Sequence, residues 1–303
     1  MTTLAPTRAA GIRAHRFGCM GTDVSVLLPP DHANAAERVK HLFNEWDHRF
    51  SRFRTDSELM ALNRAAGGPY VVSEPMYHAV AAALAAAQAT DGLFDPLLLG
   101  RLLELGYDRD FEELPGQRAA APLRAWHAGE WRSVRLDAEA GTVELPAGSG
   151  IDLGGLAKGM AVDAAIRLLD EAGVPYAAVN AGGDLAVIGS PPGHEAWDVA
   201  LEGIDETVSV TTGAMATSSI LRRRWNVGGR TRHHLLDPRT GLPVDNELAQ
   251  ASVAAATCAQ AEVAAKAVLL AGPVAGADFV ERHGLSALVV TRRGETLRLG
   301  SWR

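Results

Sequence analysis

The chain of 303 residues is 47% hydrophobic and 21% charged, with a formal charge of -7 at pH 7. This is the balance of a globular chain with room for one large domain or two closely packed lobes. Its acidity argues against nucleic acid as a partner but leaves room for a local basic pocket. No run approaches the roughly 18 apolar residues of a membrane span, Met1 to Arg16 lacks an apolar stretch of signal-peptide length, and Cys19 and Cys258 stand alone, so a cytoplasmic protein with no membrane anchor and no disulfide framework is expected.

Residues 1–16 read as a disordered or extended lead-in to a single domain over 17–303. Alternating Val24, Val26 and Leu28 predict a first strand over Thr22–Leu28, ended by Pro29-Pro30-Asp31. The helical spacing of Val39, Leu42, Phe43, Trp46 and Phe50 predicts a helix over 33–50. A short helix follows at 57–63. Another opens at Ser73-Glu-Pro75, a cap followed by proline in the first turn, and runs through an alanine-rich stretch to Thr90. Asp91 to Pro96 is a turn, 97–105 is partly helical, and 108–122 is an exposed loop. Residues 131–136 and 142–145 form a hairpin. A helix follows at 160–171. Strands are expected at 177–180, 185–188, 197–201, 208–212 and 251–256, then a helix at 260–270 and a terminal strand pair at 287–291 and 295–299. Helices and strands mix without a regular β-α-β period, which favours an α+β fold with mixed sheets flanked by helices over a plain doubly wound one.

The chemistry concentrates in Ile151-Asp-Leu-Gly-Gly-Leu-Ala-Lys-Gly159. Paired glycines let backbone approach a ligand, and the free amides opening the next helix favour an anion. Lys158 adds a full charge there, and Asp152 adds an acceptor. The turn suits a phosphate or diphosphate, although it is neither a Walker loop nor a dinucleotide fingerprint. A tight turn carrying a surface lysine is the plainer reading of this segment alone. Other loops share its small-and-polar character: Gly18-Cys-Met-Gly-Thr22, Gly92-Leu-Phe-Asp-Pro96, Asn180-Ala-Gly-Gly-Asp184, Ala216-Thr-Ser-Ser219 and His233-His-Leu-Leu-Asp-Pro-Arg-Thr-Gly241. Several together point to one composite cleft. His233 and His234 are adjacent, so at most one of them faces it.

The order of Asp152-Leu-Gly-Gly-Leu-Ala-Lys-Gly159, Asn180-Ala-Gly-Gly-Asp184 and His233 to Gly241 resembles the ApbE family, the FAD:protein FMN transferases once called thiamine-biosynthesis lipoproteins. Met20-Gly21-Thr22, Phe50-Ser-Arg-Phe-Arg54, Asp56-Ser57-Glu58-Leu59 and Phe94-Asp95-Pro96 extend the likeness, which runs from about residue 17 to 272. The resemblance implies an ApbE-like fold around an FAD cleft. It implies cleavage of the FAD pyrophosphate with the help of magnesium. FMN would pass by a phosphoester to a Thr or Ser of an acceptor flavoprotein, with release of AMP. On the matching positions Met20, Phe53, Leu93, Phe94, Asp95, Asp152, Lys158 and Leu236 would line the FAD site, with Lys158 on the diphosphate. His234 and Asp237 would join Lys158 in the catalytic part, and Gly155 would lend a carbonyl to the metal. Asn180 and Asp184 would hold their loop.

Two departures matter. Where the family has Ala-Asp-x-x-x-Thr, whose Asp and Thr complete the magnesium site, this chain has Ala261-Glu-Val-Ala-Ala-Lys266. Glu262 keeps a carboxylate, but charged Lys266 cannot ligate a cation and repels one. Either the two form an ordinary surface pair, or the Lys266 ammonium stands where the metal would be. Where the family has Thr-Ser-Gly, this chain has Thr217-Ser218-Ser219, followed by Arg222-Arg-Arg-Trp225, whose arginines either contact phosphate or, the preferred reading, form a solvated face. The expectation is thus a flavin transferase of altered metal dependence. The alternatives are an FAD pyrophosphatase releasing FMN and AMP, or a non-catalytic FAD-binding protein. The two cysteines read as packing residues rather than nucleophiles.

Overall fold

The computed structural model describes residues 3–4, 11–114, 122–201, 203–204 and 206–302. Eight strands form its central sheet: β1 (Arg13–Cys19), β2 (Thr22–Leu28), β3 (Ala177–Ala181), β4 (Asp184–Ile188), β5 (Gly213–Ser219), β6 (Leu248–Ala255), β7 (Ser286–Thr291) and β8 (Thr296–Gly300). They lie side by side in chain order. Each neighbouring pair is antiparallel. The helices are inserted between strands of this meander, which makes the protein α+β.

β1 escaped the sequence reading because it is an edge strand with no buried residue, so burial imposes no alternation on it. Residues 3–4 pair with 199–200, and β1 begins at 13, so the stretch expected to precede the domain contributes strands to its sheets. Residues 1–2 and 5–10 of that stretch, and 115–121 of the expected exposed loop, lie outside the described residues.

Seven helices are present among the described residues: α1 (Ala33–Phe50), α2 (Glu58–Arg64), α3 (Glu74–Ala89), α4 (Leu99–Glu104), α5 (Ala157–Glu171), α6 (Cys258–Ala271) and α7 (Pro273–Arg282). α7 went unread. α5 opens three residues earlier than its pattern predicts, which puts Lys158 in its first turn. Ser57 and Ser73 cap α2 and α3 through Met60 N and Met76 N, and Glu58 accepts from both the amide and the hydroxyl of Ser73.

One face of the sheet carries α1, α5 and α6 over a core of Val24, Val26, Phe43, Val162, Leu169 and Val179. The other face is covered by a small sheet of 3–4, 197–200 and 207–210, with Trp197 buried against Leu27, Leu185 and Met215. A second core gathers α2, α3 and the strands at 69–71, 135–137 and 142–144 around Met76, Ile151 and Phe94. α6 is almost wholly buried, which its run of alanines and leucines allows.

α5 and α6 meet at Gly159. A Cβ there would stand 2.7 Å from Ala259 Cα and 2.8 Å from its backbone nitrogen. Asp163, one turn along α5, accepts from the α6 amides of Cys258 at 2.7 Å and Ala259 at 2.9 Å, capping that helix from outside. We therefore expect Gly159→Val to force the helices apart and to destabilise the fold by about 1–3 kcal/mol. Thermal unfolding of the variant checks this, and an unchanged midpoint would show that the crossing tolerates a larger spacing.

Candidate active site

Two tight hairpins lie at one end of the sheet. Met20-Gly21 turns β1 into β2 with φ of 54° and 63°, the left-handed geometry of a two-residue hairpin. Gly182-Gly183 turns β3 into β4, and Asn180 holds that loop by accepting from Gly183 N at 2.8 Å. A side chain at 182 would collide with the Thr22 hydroxyl of the neighbouring hairpin. The two tips therefore stack closely, and Asp184 leaves the second directly into β4.

Below them lies a buried ion cluster. Lys158 Nζ contacts Asp184 Oδ2 at 2.6 Å and Glu262 Oε1 at 2.5 Å. Lys266 Nζ, one turn along α6, reaches the same Glu262 Oε1 at 3.1 Å. Glu262 Oε2 accepts from Gly159 N at 2.9 Å, at the start of α5. Glu262 is 1% exposed and Asp184 3%. Of the two readings of Glu262 and Lys266, the ordinary surface pair is overturned: the pair lies at the junction of two packed helices. Asp184 is also more than a loop anchor, since it is one of the two counter-ions of Lys158. Its place directly after Gly182-Gly183 was the available signal.

Burial works against every charge here, and the partners decide which side wins. For Glu262 the pull of Lys158 and Lys266 outweighs burial and holds its carboxyl well below the usual carboxylate range. For Lys158, Asp184 and then Glu262 outweigh burial and raise its pKa above the ordinary lysine value. Burial prevails at Asp184, whose pKa rises despite Lys158, and at Lys266, whose pKa falls and is pushed further by Lys158. Lys158 and Glu262 thus form the firmly ionised centre, with Asp184 and Lys266 more loosely charged around it.

A cavity of about 1050 Å³ opens above the cluster. Met20, Phe53, Leu93, Phe94 and Asp95 line it, as do Asp152, Gly155, Lys158, His234, Leu236 and Lys266. These expected site residues come together from segments far apart in the chain. Asp237 does not line the cavity. Its carboxylate accepts from the amide and side chain of Arg239, and its carbonyl accepts from Thr240 N and Gly241 N, so it builds the turn.

Sequence reasoning missed Arg52. Its side chain is 5% exposed, pairs with Asp152 at 3.5 Å and donates to Tyr107 O at 2.8 Å. The guanidinium lies over both the Phe53 and Tyr107 rings, 4.1 and 4.3 Å from their centroids. Tyr107 stacks in turn on Trp225, whose indole donates to Leu105 O. Arg222 and Arg224 are exposed, as the solvated-face reading of the arginines expects, and Arg223 is half-buried. Trp225 is buried, while Arg222, Arg223 and Arg224 stand at the cavity mouth, Arg223 with φ of 45°. Cys258 is buried, and burial lifts the half-buried Cys19 thiol to about 11, so neither is a nucleophile at neutral pH.

His234 faces the cavity and His233 does not, as adjacency requires. Burial lowers the pKa of both. For His234, Arg223, Lys266 and Lys158 add to the effect. His234 is thus a neutral imidazole, and its Nδ1 has no hydrogen-bond partner among the described residues.

The magnesium site implied by the resemblance does not fit these residues. Both Glu262 oxygens are engaged, and the Lys266 chain runs against Gly155, where an added Cβ would meet its Cε at 3.1 Å. An ammonium has no lone pair to give a cation. Among the described residues no group of three or more His, Cys, Asp or Glu side chains is arranged to hold a metal.

Fold and site together define an α+β protein with a nucleotide-sized cleft floored by paired lysines and carboxylates. The chain belongs to the ApbE family, whose model matches residues 20–289. It is 25% identical over 311 residues to the FAD:protein FMN transferase of Escherichia coli strain K12, covering 97% of this chain and 88% of that protein. The Treponema pallidum protein of the same name is 30% identical over 262 residues, covering 78% of this chain and 71% of its own length. The crystal structure of the ApbE protein from Thermotoga maritima superposes with a TM-score of 0.83 at 28% identity, covering 95% of this chain and 97% of that one. The fold is shared also with the apo form of Pseudomonas stutzeri flavinyl transferase ApbE, at a TM-score of 0.82 and 23% identity, covering 95% of this chain and 94% of that one.

Two outcomes follow. Glu262→Gln removes the charge that balances two buried ammonium groups, and should lower stability by about 3–5 kcal/mol in denaturant titration. A loss below 1 kcal/mol would mean that water or Asp184 compensates. The second concerns His233, whose pKa burial lowers from 6.5 to about 4. Below pH 6.5 the unfolded chain binds a proton that the folded site refuses, so stability present above 6.5 is lost as pH falls toward about 4. The unfolding midpoint of the wild type should fall across that window, and that of His233→Gln should fall less steeply. Parallel curves would remove His233 as the source.

Proposed function

We propose that this chain is an FAD:protein FMN transferase. It cleaves the FAD diphosphate, links FMN by a phosphoester to a Thr or Ser hydroxyl of an acceptor flavoprotein, and releases AMP. The observation that carries this reading is the cleft with Lys158 and Lys266 on its wall, at the upper end of the roughly 300–1,000 Å³ range of ligand clefts. The curated relatives bear this activity in their names.

In this reading Phe53, Phe94 and Leu236 supply apolar contact to the bound nucleotide, and Asp152, held by Arg52 and by Gly154 N, supplies an acceptor. Lys158 and Lys266 face the diphosphate, where negative charge builds on oxygen as the bridge breaks. The acceptor hydroxyl oxygen bonds to the FMN-side phosphorus, the bond from that phosphorus to the bridging oxygen breaks, and AMP departs with that oxygen. The hydroxyl proton goes to His234, whose low pKa keeps it ready to accept one. Asp237 acts at a distance by shaping the turn that follows Leu236. Magnesium has no role in this chain's own steps. Residues 17–303 act as one FAD-binding unit. Both cysteines are unpaired, which supports a reducing, cytoplasmic setting, and no helix among the described residues is long and apolar enough to cross a membrane.

The test is to incubate the purified chain with FAD and a Thr-containing acceptor and to resolve FAD, FMN, AMP and the flavinylated acceptor by chromatography. AMP together with labelled acceptor supports the transferase. AMP with free FMN alone replaces it by a pyrophosphatase, and bound but unchanged FAD replaces it by a flavin carrier. His234→Ala should lower turnover by about 10²–10⁴-fold while retaining FAD binding. In the wild type, turnover should hold below pH 6.5 before declining, because the pKa of His234 is depressed.

A further inference from the structure

We propose that Lys266 takes the place of a divalent cation in this chain, so that the diphosphate of FAD is held by two ammonium groups without magnesium. The proposal rests on the reading of FAD as substrate and adds how its charge is met.

The carboxylates that a metal would need are already spent. Glu262 holds two lysines and the Gly159 amide. Asp184 is fixed on Lys158 at 2.6 Å. Asp163 gives both oxygens to the first amides of α6. Asp152 serves Gly154 N and Arg52. The Lys266 side chain fills the space beside Gly155, so its ammonium stands in the place from which a cation would face the cleft.

The hydrogen bonding also makes Lys266 the cation that can turn to a ligand. If it swings into the cleft, Glu262 keeps Lys158 at 2.5 Å and the Gly159 amide at 2.9 Å, so no buried carboxylate is stranded. Lys158 has no such freedom, being clamped between two carboxylates. An arriving diphosphate favours the charged form of Lys266, and Arg223 at the cavity mouth adds a third positive charge on the same side. An ammonium built into a helix is present at every magnesium concentration, whereas a bound ion follows its supply.

The experiment is a fluorescence titration of FAD with the full chain, in EDTA and in millimolar magnesium. Affinity should agree within about twofold between the two conditions. Lys266→Met, which keeps an unbranched chain of nearly the same reach and removes the charge, should weaken binding roughly tenfold or more in both. Lys266→Arg should bind without magnesium, and gives a second test if the Met variant fails to fold. Wild-type binding that strengthens tenfold or more with magnesium overturns the inference and leaves the FAD reading standing. Equal affinity of Lys266→Met and wild type in EDTA overturns it as well. No FAD binding in either condition removes both.

Discussion

The Glu262 carboxylate is the interaction on which the rest of the site depends. It sits inside a helix whose other faces are apolar and buried, where an ionised group survives only if its acceptors are filled. Lys158, Lys266 and the Gly159 amide fill them. This requirement sets the depth of α5 against α6, and Gly159 is the residue that permits it. Through Lys158 it also reaches Asp184, and so registers the tip of the β3–β4 hairpin against both helices. Structure and chemistry share one set of contacts: the ions that lock the helices together form the cationic floor of the cleft.

The antiparallel meander explains why the site lies where it does. Alternate connections of such a sheet return at the same end, and two of them, at Met20-Gly21 and Gly182-Gly183, stack so closely that a side chain at Gly182 would collide with Thr22. The long insertion between β2 and β3 brings in the Phe94, Asp152 and Lys158 segments, and the insertion between β5 and β6 brings His234 and the arginines. Each arrives on a rigid support. Arg52 is a brace of this kind, in contact with two rings and tied to Asp152. Loops held in this way lose little further entropy when a ligand binds.

Much of this was legible without coordinates. Amphipathic spacing gave α1, a capping serine with proline in the first turn gave α3, and glycine pairs gave the turns, because each of these is a local preference. The cleft residues Met20, Phe94, Asp152, Lys158 and His234 were legible through the resemblance to the ApbE family that their motifs carry. β1, the short edge strands and the hairpin at 224–233 were not, since partly exposed strands lack a period that a window detects.

The sequence by itself determined the α+β class, the family, and the replacement of a neutral ligand position by Lys266, because residue identity and order carry those facts. Only the tertiary structure decided what that replacement means. On α6 alone, Glu262 and Lys266 are an ordinary i,i+4 pair, weak in water. The fold removes the water and adds Lys158 and Asp184 from 104 and 78 residues away, turning the pair into a buried four-charge cluster. Likewise only the fold shows His234 neutral in the cleft. Burial and long-range charge set those properties, and neither is encoded in any local stretch of chain.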